Sequence, residues 1–258
     1  MRTVLITRAK EQAQEFAAQL ANFGLVPVFF PTIDILEPES WDAVDEEIRR
    51  IAGYTDLIFT SANGVRFFIE RCETLCAVSH LAEKICHVVG AKTKTVLEGR
   101  EFKLAPLPDK FNAEQLAAQI VRDATAREKR FLFPCGSLSD ESLVKILTQH
   151  HLEITAVIVY RTVRPEIGAA DKDAIWAMLV KGEIPIVTFF SPSSVKNFVE
   201  TFPELTTLKH VTIAVIGQTT AKACRELGLN PAIVPQEPLC ETPGAALARL
   251  IAAAVEKS

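Results

Sequence analysis

The 258-residue sequence has no uninterrupted apolar run near the roughly 20 residues that a membrane helix needs. Its opening segment, Met1-Arg-Thr-Val-Leu-Ile-Thr-Arg8, is too briefly apolar for a secretory signal core, so a cytoplasmic protein is expected. It has no Cys-x-x-Cys pair. Its six cysteines, Cys72, Cys76, Cys86, Cys135, Cys224 and Cys240, are therefore expected to be reduced thiols. Cys72, Cys76 and His80 share one face if a helix runs through them, but a structural zinc wants four ligands at close spacing. No metal is expected there; the cysteines are read as core-facing and His80 as exposed. His87, His150 and His151 are assigned to packing and to a helix C-terminus. Basic residues are not in excess. The net charge of −4 excludes wholesale electrostatic binding of nucleic acid, and any anionic ligand must be held by local donors.

What is present is an ordinary globular balance, 48% hydrophobic and 23% charged, which excludes a disordered chain. Short apolar runs alternate with stretches of helical period. Strands are expected at Val4–Thr7, Leu25–Phe30, Asp56–Thr60, Cys86–Val89, Lys103–Pro106, Arg130–Phe133, Ile154–Tyr160, Ile186–Phe190, Thr212–Ile216 and Ala232–Val234. The first helix is expected over Glu11–Asn22, with Phe16, Leu20 and Phe23 on one face and Gly24 closing it. Solidly apolar strands separated by helices indicate parallel sheets covered on both faces, an α/β class.

The chain also repeats itself. Leu57-Ile-Phe-Thr-Ser-Ala-Asn-Gly-Val-Arg-Phe-Phe68 matches Val187-Thr-Phe-Phe-Ser-Pro-Ser-Ser-Val-Lys-Asn-Phe198 in strand, turn and helix phase. Val88–Thr93 matches Val215–Thr220, and Val4–Thr7 matches Phe131–Pro134. Each half carries the inventory of a five-stranded, doubly wound, flavodoxin-like sheet, and two such sheets imply two lobes with a cleft between them. A tandem cut falls near Ala124–Lys129. A second pair of boundaries falls where Leu36-Glu-Pro-Glu39 and Val163-Arg-Pro-Glu166 place proline and charge at matching points. The pattern leaves both open.

Four strand-to-helix turns carry Ser, Thr, Asn or Gly: Ser61-Ala-Asn-Gly64, Gly90-Ala-Lys-Thr93, Ser191-Pro-Ser-Ser194 and Gly217-Gln-Thr-Thr220. Any one of them is an ordinary helix cap, Ser191 with Pro192 at the first helical position being the plainest. Together, four helix starts with unsatisfied N–H groups make an anion site that needs no basic surface.

Val4-Leu-Ile-Thr-Arg8, Phe59-Thr-Ser-Ala-Asn-Gly-Val65, Val88-Val-Gly90, Val159-Tyr-Arg-Thr162, Phe190-Ser-Pro-Ser193, Ala214–Lys222 and Leu227-Gly-Leu-Asn-Pro231 occur in one order over nearly the whole chain. In that combination the sequence resembles the uroporphyrinogen-III synthase family. The resemblance implies two flavodoxin-like lobes joined by two connecting strands, residues 1–35 plus 168–258 in one and 37–164 in the other. It implies an enzyme without cofactor that converts hydroxymethylbilane, a linear tetrapyrrole octacarboxylate, to uroporphyrinogen III with ring D inverted. A monomer is expected because two lobes in one chain already make the cleft. A transient contact with the enzyme that supplies the bilane is a further expectation.

Tyr160, one of two tyrosines, matches the tyrosine of the family's Val-Tyr-x-Thr segment and is the expected catalytic proton donor. Arg8, Ser61, Asn63, Thr93, Ser191, Ser193, Thr219 and Thr220 are the expected substrate-binding residues. One departure is plain: many members carry an arginine on the glycine-containing turn where this chain has Gly136-Ser-Leu-Ser-Asp-Glu141, and no ligand role is carried over to it. Two other classes have the same sheet inventory. A non-catalytic binding module for a small polyanionic metabolite is the main alternative. A pair of phosphoryl-accepting receivers fits poorly, because the strand ends lack an acidic cluster.

Overall fold

The apolar runs become parallel strands, most of them followed by a helix that covers one face. The computed structural model describes residues 2–98, 100, 102–123, 128–236 and 242–256. In chain order the first elements are β1 (Thr3–Ile6), α1 (Lys10–Ala21), β2 (Val26–Phe29), β3 (Asp34–Leu36) and α2 (Asp42–Arg49). Next come β4 (Asp56–Phe59), α3 (Ala62–Thr74), β5 (Ile85–Val88), α4 (Ala91–Leu97), β6 (Lys103–Leu104) and α5 (Ala113–Arg122). They are followed by β7 (Arg130–Gly136), α6 (Ser142–Gln149), β8 (Glu153–Val163), α7 (Ala169–Val180) and β9 (Ile186–Phe189). The last are α8 (Pro192–Thr201), β10 (Thr212–Val215), α9 (Gln218–Glu226), β11 (Pro231–Ile233) and α10 (Pro243–Glu256). No helix among the described residues is long and apolar enough to cross a membrane.

The chain divides into two units, Met1–Asp34 with Val163–Ser258, and Ile35–Thr162. The crossings lie beside the Pro38 and Pro165 segments. Most of the Ala124–Lys129 stretch, like Cys240, lies outside the described residues. The first unit holds a sheet of order β2-β1-β9-β10-β11, the 2-1-3-4-5 order of a flavodoxin-like sheet. The second holds β3-β8-β7-β4-β5-β6. Taking β7 as its first strand and β8 as its second, this is the same order with β3 added at the edge. Each unit therefore joins the opening pair of strands from one half of the repeat to the closing three of the other.

Buried on both faces, the strands sort their side chains by alternation. In the first unit Leu5, Val187, Phe189, Ile213 and Val215 pack with Phe198 and Leu179 on one face. Val4, Ile6, Ile186 and Ala214 pack with Phe16, Leu20, Leu247 and Ile251 on the other. The second unit puts Leu57, Phe59, Cys86, Val88 and Leu132 with Phe68 and Cys72, and Ile58, Phe131 and Phe133 with Leu116 and Leu143.

Three local expectations need correction. α1 ends at Ala21, so Phe16 and Leu20 are buried while Phe23, beyond the end, is half exposed. α3 ends at Thr74, Cys76 has φ +54° and is exposed, and His80 lies on a separate 3-10 turn, Val78–Leu81; the three never share a helical face. His87 is buried as expected, but its Nε2 lies 2.7 Å from Asp56 Oδ1, a polar pair rather than plain packing.

Candidate active site

In doubly wound sheets, ligands bind beyond the carboxyl ends of the strands at the point where strand order reverses. That point lies between β1 and β9 in the first unit, and between β7 and β4 in the second. The residues that follow these four strands are Arg8, Ser191, the turn after Gly136, and Ser61.

In the first unit the reversal point is tied by hydroxyls. Thr7 Oγ1 donates to Thr188 O (2.8 Å), Thr188 Oγ1 to Leu5 O (2.7 Å), and Thr32 Oγ1 contacts Thr7 O and Ser194 O, each at 3.2 Å. All three threonines are fully buried, so these bonds supply the partners that their hydroxyls would otherwise find in water. Arg8 is held above this base by its Nε bond to Gln12 Oε1 (2.9 Å) and by the Phe190 ring, whose centroid is 5.0 Å from the guanidinium carbon. Burial lowers its pKa, with Glu15 acting in the opposite sense, and it stays a cation at neutral pH. Ser191 caps α8 in a reciprocal box with Ser194, and its Oγ also meets Ser193 Oγ at 3.0 Å. The α9 start is different: Gly217 is extended and no side chain caps the helix. Thr219 there is exposed, whereas Thr220 is buried.

In the second unit Ser61 caps α3 by accepting from Gly64 N (3.0 Å), and its Oγ lies 3.1 Å from Tyr160 Oη. Asn63 is half-buried on the first turn of α3. Gly90 begins α4 without a side-chain cap. α4 has only seven residues and Thr93 is buried, so that turn offers less to a ligand than the sequence pattern implied. Tyr160 is nearly buried, stacked on Phe67 at 5.8 Å with the rings 22° apart. Burial raises its pKa and the Ser61 hydrogen bond partly opposes this, so the phenol keeps its proton at neutral pH. The neighbouring Cys135 thiol is pushed up to about 11 by burial and is no nucleophile.

Ser61 and Tyr160 are brought together, as are Arg8 with the Ser191 and Ser193 turn, which follows the adjacent strand. The sequence reading missed Gly136, Phe190 and the buried Thr7, Thr32 and Thr188. A threonine just past the end of β1 and another within the last two residues of β9 were the available signal.

A family model described as uroporphyrinogen-III synthase HemD matches residues 14–242. The chain belongs to the uroporphyrinogen-III synthase family. A uroporphyrinogen-III synthase from Chlorobaculum parvum is 32% identical over 92% of this chain and 94% of its own length. One from Synechococcus elongatus is 30% identical over 88% and 86%. A solved mutant of the uroporphyrinogen III synthase of Thermus thermophilus shares the fold at a TM-score of 0.68, with 17% identity and full coverage of both chains. The enzyme from Helicobacter pylori gives 0.63 at 20% identity, covering 98% of this chain and all of its own.

Proposed function

We propose that this chain is a cyclising lyase that converts hydroxymethylbilane to uroporphyrinogen III, with Tyr160 as proton donor and the strand-end turns of each unit as carboxylate holders. The observation that carries this reading is the reversal-point chemistry: a fixed cation and serine-rich helix starts, and one protonated phenol hydrogen-bonded at a helix N-cap. Family membership supports the reaction and disfavours the non-catalytic binding module.

The bilane closes unaided to the uninverted isomer, so the enzyme's task is chiefly to fix geometry. Tyr160 gives its proton to the terminal hydroxyl. The C–O bond breaks, its electron pair leaves with water, and the pyrrole's π electrons fill the methylene carbon to give an azafulvenium cation that keeps its N–H. The substituted carbon of ring D attacks that carbon, forming a spiro centre that fragments and recloses with the ring turned over. The phenolate regains its proton when the macrocycle loses one and recovers pyrrole aromaticity. Arg8 pairs with one carboxylate. The N–H groups at the starts of α3, α8 and α9, with the hydroxyls of Ser191, Ser193 and Thr219 and the Asn63 amide, hold others. Thr93 and Thr220, being buried, contribute backbone rather than hydroxyl groups. A monomeric, cytoplasmic enzyme that meets its supplier transiently completes the reading.

Incubating the purified protein with freshly made hydroxymethylbilane and separating the product isomers tests this. Type III product is expected; only type I, formed at the spontaneous rate, would put the binding module ahead.

A further inference from the structure

Gly136, the last residue of β7, has the tightest surroundings of any described glycine. A Cβ built on Gly136 would lie 2.4 Å from Tyr160 Cζ and 2.6 Å from its oxygen. The cause is local. A register shift between Cys135 and Gly136 sets Tyr160, not Val159, opposite Gly136. Such a bulge re-aims a side chain. Tyr160 leaves β8, passes over β7 at Gly136, and puts its hydroxyl beside Ser61 at the end of β4. Ser137 N donates to Tyr160 O (3.0 Å) and Gly136 N to Ser139 Oγ (3.0 Å), so the backbone under the ring is tied on both sides.

Ser61 Oγ already accepts the Gly64 N–H, and its own proton remains to be given. When the phenol proton moves to the leaving hydroxyl, negative charge grows on Tyr160 Oη, 3.1 Å from Ser61 Oγ. A donor fixed in place before the reaction, on the N-terminus of the 13-residue α3, stabilises that charge without rearrangement.

We propose that Gly136 and Ser61 are positioning residues of the cyclisation: Gly136 is the seat over which the phenol crosses β7, and Ser61 donates to the phenol oxygen as its proton leaves. This rests on Tyr160 as proton donor. Ser61 then acts through Tyr160 rather than as a primary carboxylate holder.

The experiment measures kcat, KM and thermal midpoint for G136A, S61A and S61T, with G136A and S61A also made on top of Y160F. G136A is expected to lower kcat at least about tenfold with KM within about twofold, since misplacement on the ångström scale is enough. On top of Y160F it should cost no further turnover, while lowering the midpoint as much as it does in the wild-type chain, because the ring that meets the new methyl is still there. S61A should lower kcat severalfold and S61T should restore it. A folded G136A with wild-type kcat, or a loss of turnover just as large on top of Y160F, overturns the seat. An S61A enzyme with unchanged kcat overturns the donor. If Y160F is slow and these variants are not, only this inference falls; if Y160F itself is as fast as wild type, the proton-donor reading falls with it.

Discussion

The two units are built from the same repeat, yet they carry different chemistry at equivalent points. Val4–Thr7 matches Phe131–Pro134, so Arg8 of the first unit stands where the second has Cys135. Tyr160 of the second unit lies opposite Gly136 across a register shift, whereas the β1–β2 pairing of the first unit runs without a shift and ends at Ile6 and Phe29. One reversal point thus offers a cation braced by an aromatic ring, and the other a neutral phenol hydrogen-bonded to a serine. Both retain the serine-capped helix, α8 or α3, and the glycine-started one, α9 or α4. In the proposed mechanism the shared scaffold supplies N–H groups for carboxylates, and the divergent positions divide holding from proton transfer.

Breaking the second unit's part should have the largest effect. Y160F is expected to lower kcat on the order of a hundredfold, in the range of a lost general acid, with KM little changed. The first unit's part comes next. R8M is expected to raise KM about tenfold, near 1.4 kcal/mol of binding, and to leave kcat within about twofold, because many weaker donors share the grip. Initial rates across bilane concentrations separate the two.

This asymmetry was only partly legible in the sequence. Strand positions, the repeat and both serine caps could be read, because apolar period and cap chemistry are local. The sheets could not be assembled from pattern alone. β3, three residues long, gives no periodic signal, and β7 continues through Pro134 and Cys135 to Gly136, where proline reads as a stop. The Gly136–Tyr160 seat depends on β7 and β8 being neighbours with a one-residue shift, a relation between residues 24 apart that no motif encodes. Cys76 was misread for a converse reason: the helical period continued on paper after the helix had ended at Thr74.

Removing the same cap from each unit sharpens the comparison at smaller scale. S191A and S61A should each cost about 1 kcal/mol of stability, seen as a lowered midpoint in thermal unfolding. S191A should otherwise show only a modest rise in KM, whereas S61A should also slow turnover.

The smallest effect expected is on acid stability in the second unit. Asp45 is held below the ordinary carboxylate range by its paired hydrogen bonds from Arg71, at 2.7 and 2.6 Å, against the opposing effect of burial. Its folded pKa lies below its unfolded one, so its stabilisation is complete above about pH 4 and is lost as pH falls through the depressed value. The difference in midpoint between wild type and D45N should therefore shrink as pH drops below about 4.

The division of labour is tested most directly by steady-state kinetics of R8M and Y160F, side by side on freshly prepared hydroxymethylbilane with the isomers separated. R8M is expected to move KM and Y160F to move kcat, each leaving the other constant within about twofold, with type III product from both. Two variants that shift the same parameter by similar factors would contradict it.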